Sequence, residues 1–279
     1  MNDTVDPRLR VLAAGSLDDA AGTLQSVAGG SLSAALVRGV YGAEQAAQLV
    51  SRLERGEFPS PFRIRDVSDT SVPQIRTLGL AISPSDLYPA GPDLEAYHAA
   101  AVELRNDAAS FFAPVPPFPE TAYAILSALS GTPVTLAADD RGRAYGALTI
   151  RNMPHGCGLP PHCENHYMHI RAYDALRQEV MLDHKVGFFC VLQTPHSGGE
   201  FVVYDDAYKA GEFAFQTRSL DIDHGRGHVV VPAAAGDMVV VGSGARYHQV
   251  TRVEGERSRW SVGGFGAFAT DSSRFVCWA

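Results

Sequence analysis

What most limits the folds open to this chain is the spacing of its apolar runs after residue 133. From there the sequence breaks into short β-rich runs separated by Gly, Pro and Asp. They fall at 134–136, 145–151, 162–167, 186–193, 201–204, 228–231, 238–242, 247–253 and 259–268. Runs of this length and β-branched content read as strands. No helical pattern alternates with them, so a parallel βαβ sheet is not expected. Nine short strands suit a double-stranded β-helix, the jelly roll of two facing sheets.

The first half has a different texture. Residues 1–31 are rich in Ala, Gly, Ser and Asp, and the first ten or so are expected to fray. A strand at 34–41 then feeds a helix at 43–54, where Ala46, Leu49, Val50 and Leu53 share one face and Gly56 closes the end. Two more helices are expected, at 92–112 and 120–129, the second stopped by Gly131. The expected fold class is therefore mainly β with N-terminal α-helices and a jelly-roll core. We read a single domain, 1–279, in which 1–132 is a helical and strand support and 133–279 is the jelly-roll catalytic core.

Composition removes several function classes. With 279 residues, 46% hydrophobic and 19% charged, the chain is globular and large enough for a substantial core. The net charge is −8 and no Lys/Arg block occurs, which disfavours nucleic acid as a partner. No run approaches the ~18 apolar residues of a membrane span. The four cysteines form no CxxC pair, and Met1 is followed by a polar, acidic stretch without a signal-peptide core, so a cytoplasmic location is expected.

The chemistry centres on His162-Cys163-Glu164, after Pro160-Pro161. In a strand the side chains of i and i+2 share a face, so His162 and Glu164 can point at one metal while Cys163 turns away. The triplet alone is weak, because about one His-x-acid triplet is expected by chance from ten His and 31 acidic residues in a chain of this length. What strengthens it is order. Ser197-Gly198-Gly199-Glu200 follows, then Gly236-Asp237, then His248, 86 residues after His162, then Arg257-Ser258-Arg259-Trp260-Ser261. Two histidines and a carboxylate on one face of an octahedron form the non-haem Fe(II) facial triad, leaving three positions open.

In this order the motifs resemble the Fe(II)/2-oxoglutarate-dependent oxygenase superfamily, over about residues 145–268. The resemblance implies that His162, Glu164 and His248 bind Fe(II) and carry catalysis. It also implies that 2-oxoglutarate chelates the metal and that a small-molecule substrate is hydroxylated by O2, with succinate and CO2 as co-products. A basic residue about ten positions after the distal His should anchor the far carboxylate of 2-oxoglutarate. Arg257 and Arg259 both qualify, and alternation on one strand face with Ser261 does not choose between them. The resemblance favours Arg259, because Arg259-Trp260-Ser261 matches the family's R-x-S, in which the Ser hydroxyl assists. Glu164 departs from the pattern, where Asp is usual. Related halogenases carry Gly or Ala there, which frees a position for chloride, so a retained carboxylate points to hydroxylation.

Other candidates have plainer readings. Arg151 could meet a carboxylate of co-substrate or substrate, or form a structural ion pair. His155, His166 and His169 crowd the motif as neighbours, and Asn165, His166 and Tyr167 could touch substrate. Cys163 and Cys190 read as small buried hydrophobes. Two rival functions remain. A cupin-type metal-dependent dioxygenase or isomerase would need no buried Arg and would take a further His such as His166 or His169. A metal-free binding module would keep the barrel without the chemistry. Oligomeric state is not legible.

Overall fold

The computed structural model describes residues 6–64, 74–82, 94–113, 115–168, 170–215 and 218–279. The first-half strands are β1 (Leu9–Ala13), β2 (Ala34–Arg38), β3 (Arg63–Ile64) and β4 (Arg76–Leu78). Next come β5 (Val134–Leu136), β6 (Thr149–Met153), β7 (Leu159–His162), β8 (Val186–Gln193), β9 (Ser197–Gly198) and β10 (Phe201–Ala207). The chain closes with β11 (His228–Val231), β12 (Met238–Val241), β13 (Arg246–Val250), β14 (Val253–Glu254), β15 (Arg259–Phe268) and β16 (Phe275–Trp278). The α-helices are α1 (Thr23–Ala28), α2 (Ala43–Glu54), α3 (Leu94–Phe111), α4 (Phe118–Ser130) and α5 (Asp174–Glu179).

The larger sheet runs β1-β2-β12-β8-β15-β6-β4-β3, with β16 paired to β15 and β5 to β16; the smaller runs β11-β10-β13-β7. The central strands of the larger sheet are covered on both faces, which explains why their sequences are almost unbroken apolar runs. Along β12, Met238 and Val240 pack with the helices, among them Leu49, Leu53 and Leu126, while Val239 and Val241 pack inward. Inward they meet Phe201, Val203 and Val250 of the smaller sheet. The core therefore has two layers, one between helices and large sheet and one between the sheets, and the large sheet divides them by the alternation of its side chains.

Local signals explain the helix ends. On α2 the buried residues are Ala46, Leu49, Val50 and Leu53, and the Gly42 amide donates to Gln45 Oε1 at 2.9 Å. Helix α4 begins with Phe118-Pro119, where a missing amide costs nothing, and Gly131 ends it at φ 71 with its amide on Ser127 O.

The chain is mainly β around a multi-stranded sheet, and the expected strands 134–136, 186–193, 228–231 and 259–268 are found at those bounds. Several expectations need correction. The strand expected at 162–167 ends at His162, and Glu164–Tyr167 is a 3-10 helix. The stretch 1–31, where no strand is expected, holds β1, whose first residues fall among the ten or so expected to fray; β1 pairs in parallel with β2, and β16 pairs in parallel with β5, so the sheet is not wholly antiparallel. β2 is also hydrogen-bonded to β12, so strands of the first half complete a sheet built from the second. Of the helix expected at 92–112, residues 92 and 93 lie outside the described residues. Among the described residues no helix is long and apolar enough to cross a membrane.

Candidate metal centre

A cavity between the two sheets is lined by His162, Glu164 and His248 at one end and by Arg151, Arg259 and Ser261 at the other. β7 and β13 place His162 directly opposite His248 in the antiparallel register, with ring centroids 4.3 Å apart. His162 Nδ1 lies 2.8 Å from Pro160 O, and His248 Nδ1 lies 3.0 Å from Arg246 O. A carbonyl can only accept, so each Nδ1 carries the proton and each Nε2 is left unprotonated, the state a metal needs.

Glu164 arrives by a different route. Cys163 is extended, at φ −133 and ψ 130, so the side chains of residues 162 and 164 still fall on one side although the strand has ended. The Cys163 thiol turns away into the protein, 2.9 Å from Gly244 O, and the Glu164 amide donates to Ser243 O at 3.0 Å. Glu164 Oε1 then stands 3.8 Å from His162 Nε2. One ligand atom from each of His162, Glu164 and His248 falls within 4.8 Å of the others, a set able to hold a metal ion.

The charges of this end are set before any metal arrives. Burial alone would raise the Glu164 carboxyl, but Lys185 and the two histidines hold it down at about 2. Burial, and then His162, pushes His248 down to about 3. Lys185 is 0% exposed, with Nζ 3.5 Å from Glu164 Oε2 and 3.2 Å from the Tyr173 hydroxyl. Burial pulls the ammonium down, but Tyr173 and Glu164 outweigh it, so its pKa lies above the ordinary lysine value.

The other end is cationic. Arg259 is 4% exposed; its Nε donates to Gly199 O at 3.2 Å, its Nη1 lies 3.4 Å from Ser261 Oγ, and its guanidinium sits over the Phe189 ring. Burial and then the neighbouring Arg151 lower it to about 10. Arg151 faces Ser261 across the β6–β15 ladder. Among the described residues no carboxylate is paired with Arg259 by salt bridge or hydrogen bond, so a buried cation sits in a cavity without a protein counter-charge.

The remaining expectations divide. Arg257 does not share that face: β15 begins at Arg259, and Arg257 is exposed with Nη2 on Pro195 O at 3.0 Å. The Gly-Gly-Glu signature serves the Arg259 end, since Gly198 and Gly199 both take φ 68 and turn the Gly199 carbonyl toward Arg259. Asp237 of the Gly-Asp pair is structural, accepting from Arg38 Nη1 and from the Gly39 and Ala234 amides. His166 is drawn away by Tyr247 OH at 2.5 Å and stacks on Phe213; His155 is exposed, and His169 lies outside the described residues. Asn165 is buried with Nδ2 on Asp183 O, and Tyr167 is exposed. Cys163 and Cys190 are buried. Sequence reasoning gave no role to Lys185 or Tyr173. The available signal was one of the chain's two lysines standing at the head of the apolar run 186–192.

A family model described as carrier-protein-independent halogenase WelO5 matches residues 9–279. The chain belongs to this family. It is thereby a member of the Fe(II)/2-oxoglutarate-dependent oxygenase superfamily, as its motif order implied. No curated protein matches it. Among solved structures, an N-substituted L-amino acid dioxygenase from Burkholderia ambifaria AMMD is 11% identical with a TM-score of 0.58, over 92% of this chain and 90% of that one. The same dioxygenase in complex with alpha-KG gives 0.56. The alpha ketoglutarate dependent carbocyclase SnoK of nogalamycin biosynthesis is 12% identical with a TM-score of 0.52, over 91% and 87%. The epimerase SnoN of the same biosynthesis is 13% identical with a TM-score of 0.51, over 88% and 85%. At these identities the likeness is one of fold.

Proposed function

We propose that the chain is a non-haem Fe(II)- and 2-oxoglutarate-dependent oxygenase that hydroxylates a small molecule, such as a free amino acid or a specialised metabolite. His162, Glu164 and His248 are its metal ligands, and Arg259 with Ser261 anchors 2-oxoglutarate. The observation that carries the hydroxylase reading is the Glu164 carboxylate, which brings a ligand oxygen within 4.8 Å of a ring nitrogen of each of two histidines. The chain acts as a single unit, 1–279, whose 133–279 part is the jelly-roll core, and its four free, buried cysteines suit a reducing cytoplasm.

The donor set fits Fe(II), since two neutral imidazoles and one carboxylate suit a borderline divalent metal. Bound together, Fe(II) and 2-oxoglutarate supply the oxidising chemistry, in which a C–H bond, O2 and 2-oxoglutarate become C–OH, succinate and CO2. The chain's own residues bind and orient. Arg259 offers a planar fork to a carboxylate and Ser261 a hydroxyl beside it, in a pocket lined in part by Phe188, Phe189 and Phe201. Pro160 O and Arg246 O keep the ligand nitrogens unprotonated.

Halogenation is the second reading, favoured by the description of the matching family. Against it, Glu164 would fill the place that a halogenase leaves open to chloride, so chloride would have to displace this carboxylate. A cupin-type enzyme is less well supported, because His166 is held elsewhere and Arg259 is buried in the cavity. A metal-free module leaves three converging donors unexplained. The deciding experiment is to incubate candidate small molecules with Fe(II), 2-oxoglutarate and ¹⁸O2 in excess chloride. A product gaining one ¹⁸O is expected; a product with the chlorine isotope pair would overturn the hydroxylase reading.

A further inference from the structure

We propose that Lys185, steadied by Tyr173, is a positioning residue that grips the outer oxygen of Glu164, so that this carboxylate offers a single oxygen to the metal. The inference rests on the metal assignment above and deepens it. The two oxygens of Glu164 face different partners: Oε1 is on the histidine side, 3.8 Å from His162 Nε2, and Oε2 is 3.5 Å from Lys185 Nζ. The grip answers a problem that Glu creates. Its extra methylene gives the carboxylate more freedom than Asp, and chelation through both oxygens would occupy a position that 2-oxoglutarate or O2 requires.

Lys185 is itself held on every side. Its Nζ lies 3.2 Å from the Tyr173 hydroxyl, which donates in turn to Ile82 O at 2.8 Å. The ammonium sits 5.0 Å from the Tyr173 ring centroid and 5.1 Å from that of Phe265. Its backbone is fixed as well, the amide donating to Leu182 O and the carbonyl accepting from the Gly244 amide, next to the Ser243 carbonyl that binds the Glu164 amide. Among the described residues Glu164 is the one acid ion-paired with Lys185, so the ammonium is directed at a metal ligand.

A cation this close to a divalent metal has two opposing effects, and they separate the possible roles. Through Glu164 it orders a ligand and strengthens metal binding, and such outer partners typically change metal affinity by about 10–100-fold. Directly, it repels the metal. The test measures dissociation constants for Mn(II), a stand-in for Fe(II), in saturating 2-oxoglutarate, from the free Mn(II) electron paramagnetic resonance signal. Wild type, Lys185→Met, Glu164→Ala and the double variant are compared, with thermal melts as a check on folding. Lys185→Met is expected to weaken Mn(II) binding about tenfold in the wild-type background. In the Glu164→Ala background it should leave binding unchanged or tighten it. Equal weakening in both backgrounds would mean only structural support, and tightening or no change in the wild-type background would mean that Lys185 does not hold the ligand; each overturns the proposal. Tyr173→Phe keeps the ring and repeats the test should Lys185→Met unfold, with about three- to tenfold weakening expected in the wild-type background alone. If Glu164→Ala binds Mn(II) as well as wild type, the metal assignment fails first and this proposal with it.

Discussion

At one end of the cavity the smaller sheet presents two imidazoles, backed by carbonyls that fix their tautomers, and a carboxylate joins them from the turn after β7. At the other end the larger sheet presents Arg259, Arg151 and Ser261 from neighbouring strands. In the proposed reading one end receives a cation and the other an anion. The difference lies in how each charge is balanced. Glu164 has a protein partner in Lys185, whereas the Arg259 guanidinium has a carbonyl and a hydroxyl, which accept from two of its five N–H donors without neutralising it. A buried cation compensated only by dipoles is stabilised when a carboxylate arrives, which is what supports the proposal that Arg259 anchors 2-oxoglutarate.

Breaking the cation end should have the largest effect. His248→Ala or His162→Ala removes one of three donors, and stoichiometric Fe(II) binding should be lost while the thermal melt persists, as read by anaerobic metal analysis after desalting. Full metal content in both variants would sink the ligand assignment. At the anchor end, Arg259→Ala should weaken 2-oxoglutarate binding by ~2–5 kcal/mol while Fe(II) binding stays near wild type. Arg257→Ala should leave both unchanged. If the two arginine variants exchange phenotypes in anaerobic titrations, the anchor has been misplaced by two residues.

The two ends also differ in how far they could be read from sequence. The convergence of His162, Glu164 and His248 was legible because motif order survives without coordinates, although the shared side of residues 162 and 164 has another reason than the strand expected there: an extended Cys163, not a continuing strand, keeps the two side chains together. Choosing between Arg257 and Arg259 required knowing where β15 begins, which period-two alternation cannot supply. Lys185 was hidden because a lone lysine beside an apolar run has no periodic signal, and its partners Glu164 and Tyr173 reach it only through tertiary packing. β1 was missed because its parallel partner, β2, lies across the Gly- and Ser-rich stretch that suggested fraying.

Two smaller effects sharpen the contrast. Asp237 lies in a motif of the same series yet ties β2 to β12 away from both ends, so Asp237→Ala should lower stability by about 1–3 kcal/mol in denaturant unfolding and leave the affinities for Fe(II) and 2-oxoglutarate unchanged. Protons give the finest distinction. An ordinary histidine, with a pKa of about 6.5, is largely protonated at pH 6 and must release that proton to bind metal. His248, pushed down to about 3, is already neutral there, and Glu164, held at about 2, is already ionised. Calorimetry of Fe(II) binding at pH 6 in buffers of different ionisation enthalpy should therefore show less than about one proton released per metal. Release of about one and a half would mean that both histidines titrate as ordinary ones.

The central claim, that one cavity holds Fe(II) at one end and 2-oxoglutarate reaching from that metal to Arg259, is tested most directly by anaerobic visible spectroscopy. Titrating 2-oxoglutarate into the Fe(II)-loaded protein should produce a metal-to-ligand charge-transfer band that saturates at one equivalent, is absent in His248→Ala and is weakened in Arg259→Ala. An iron-loaded wild-type protein that develops no such band, or a band indifferent to Arg259, would contradict the account.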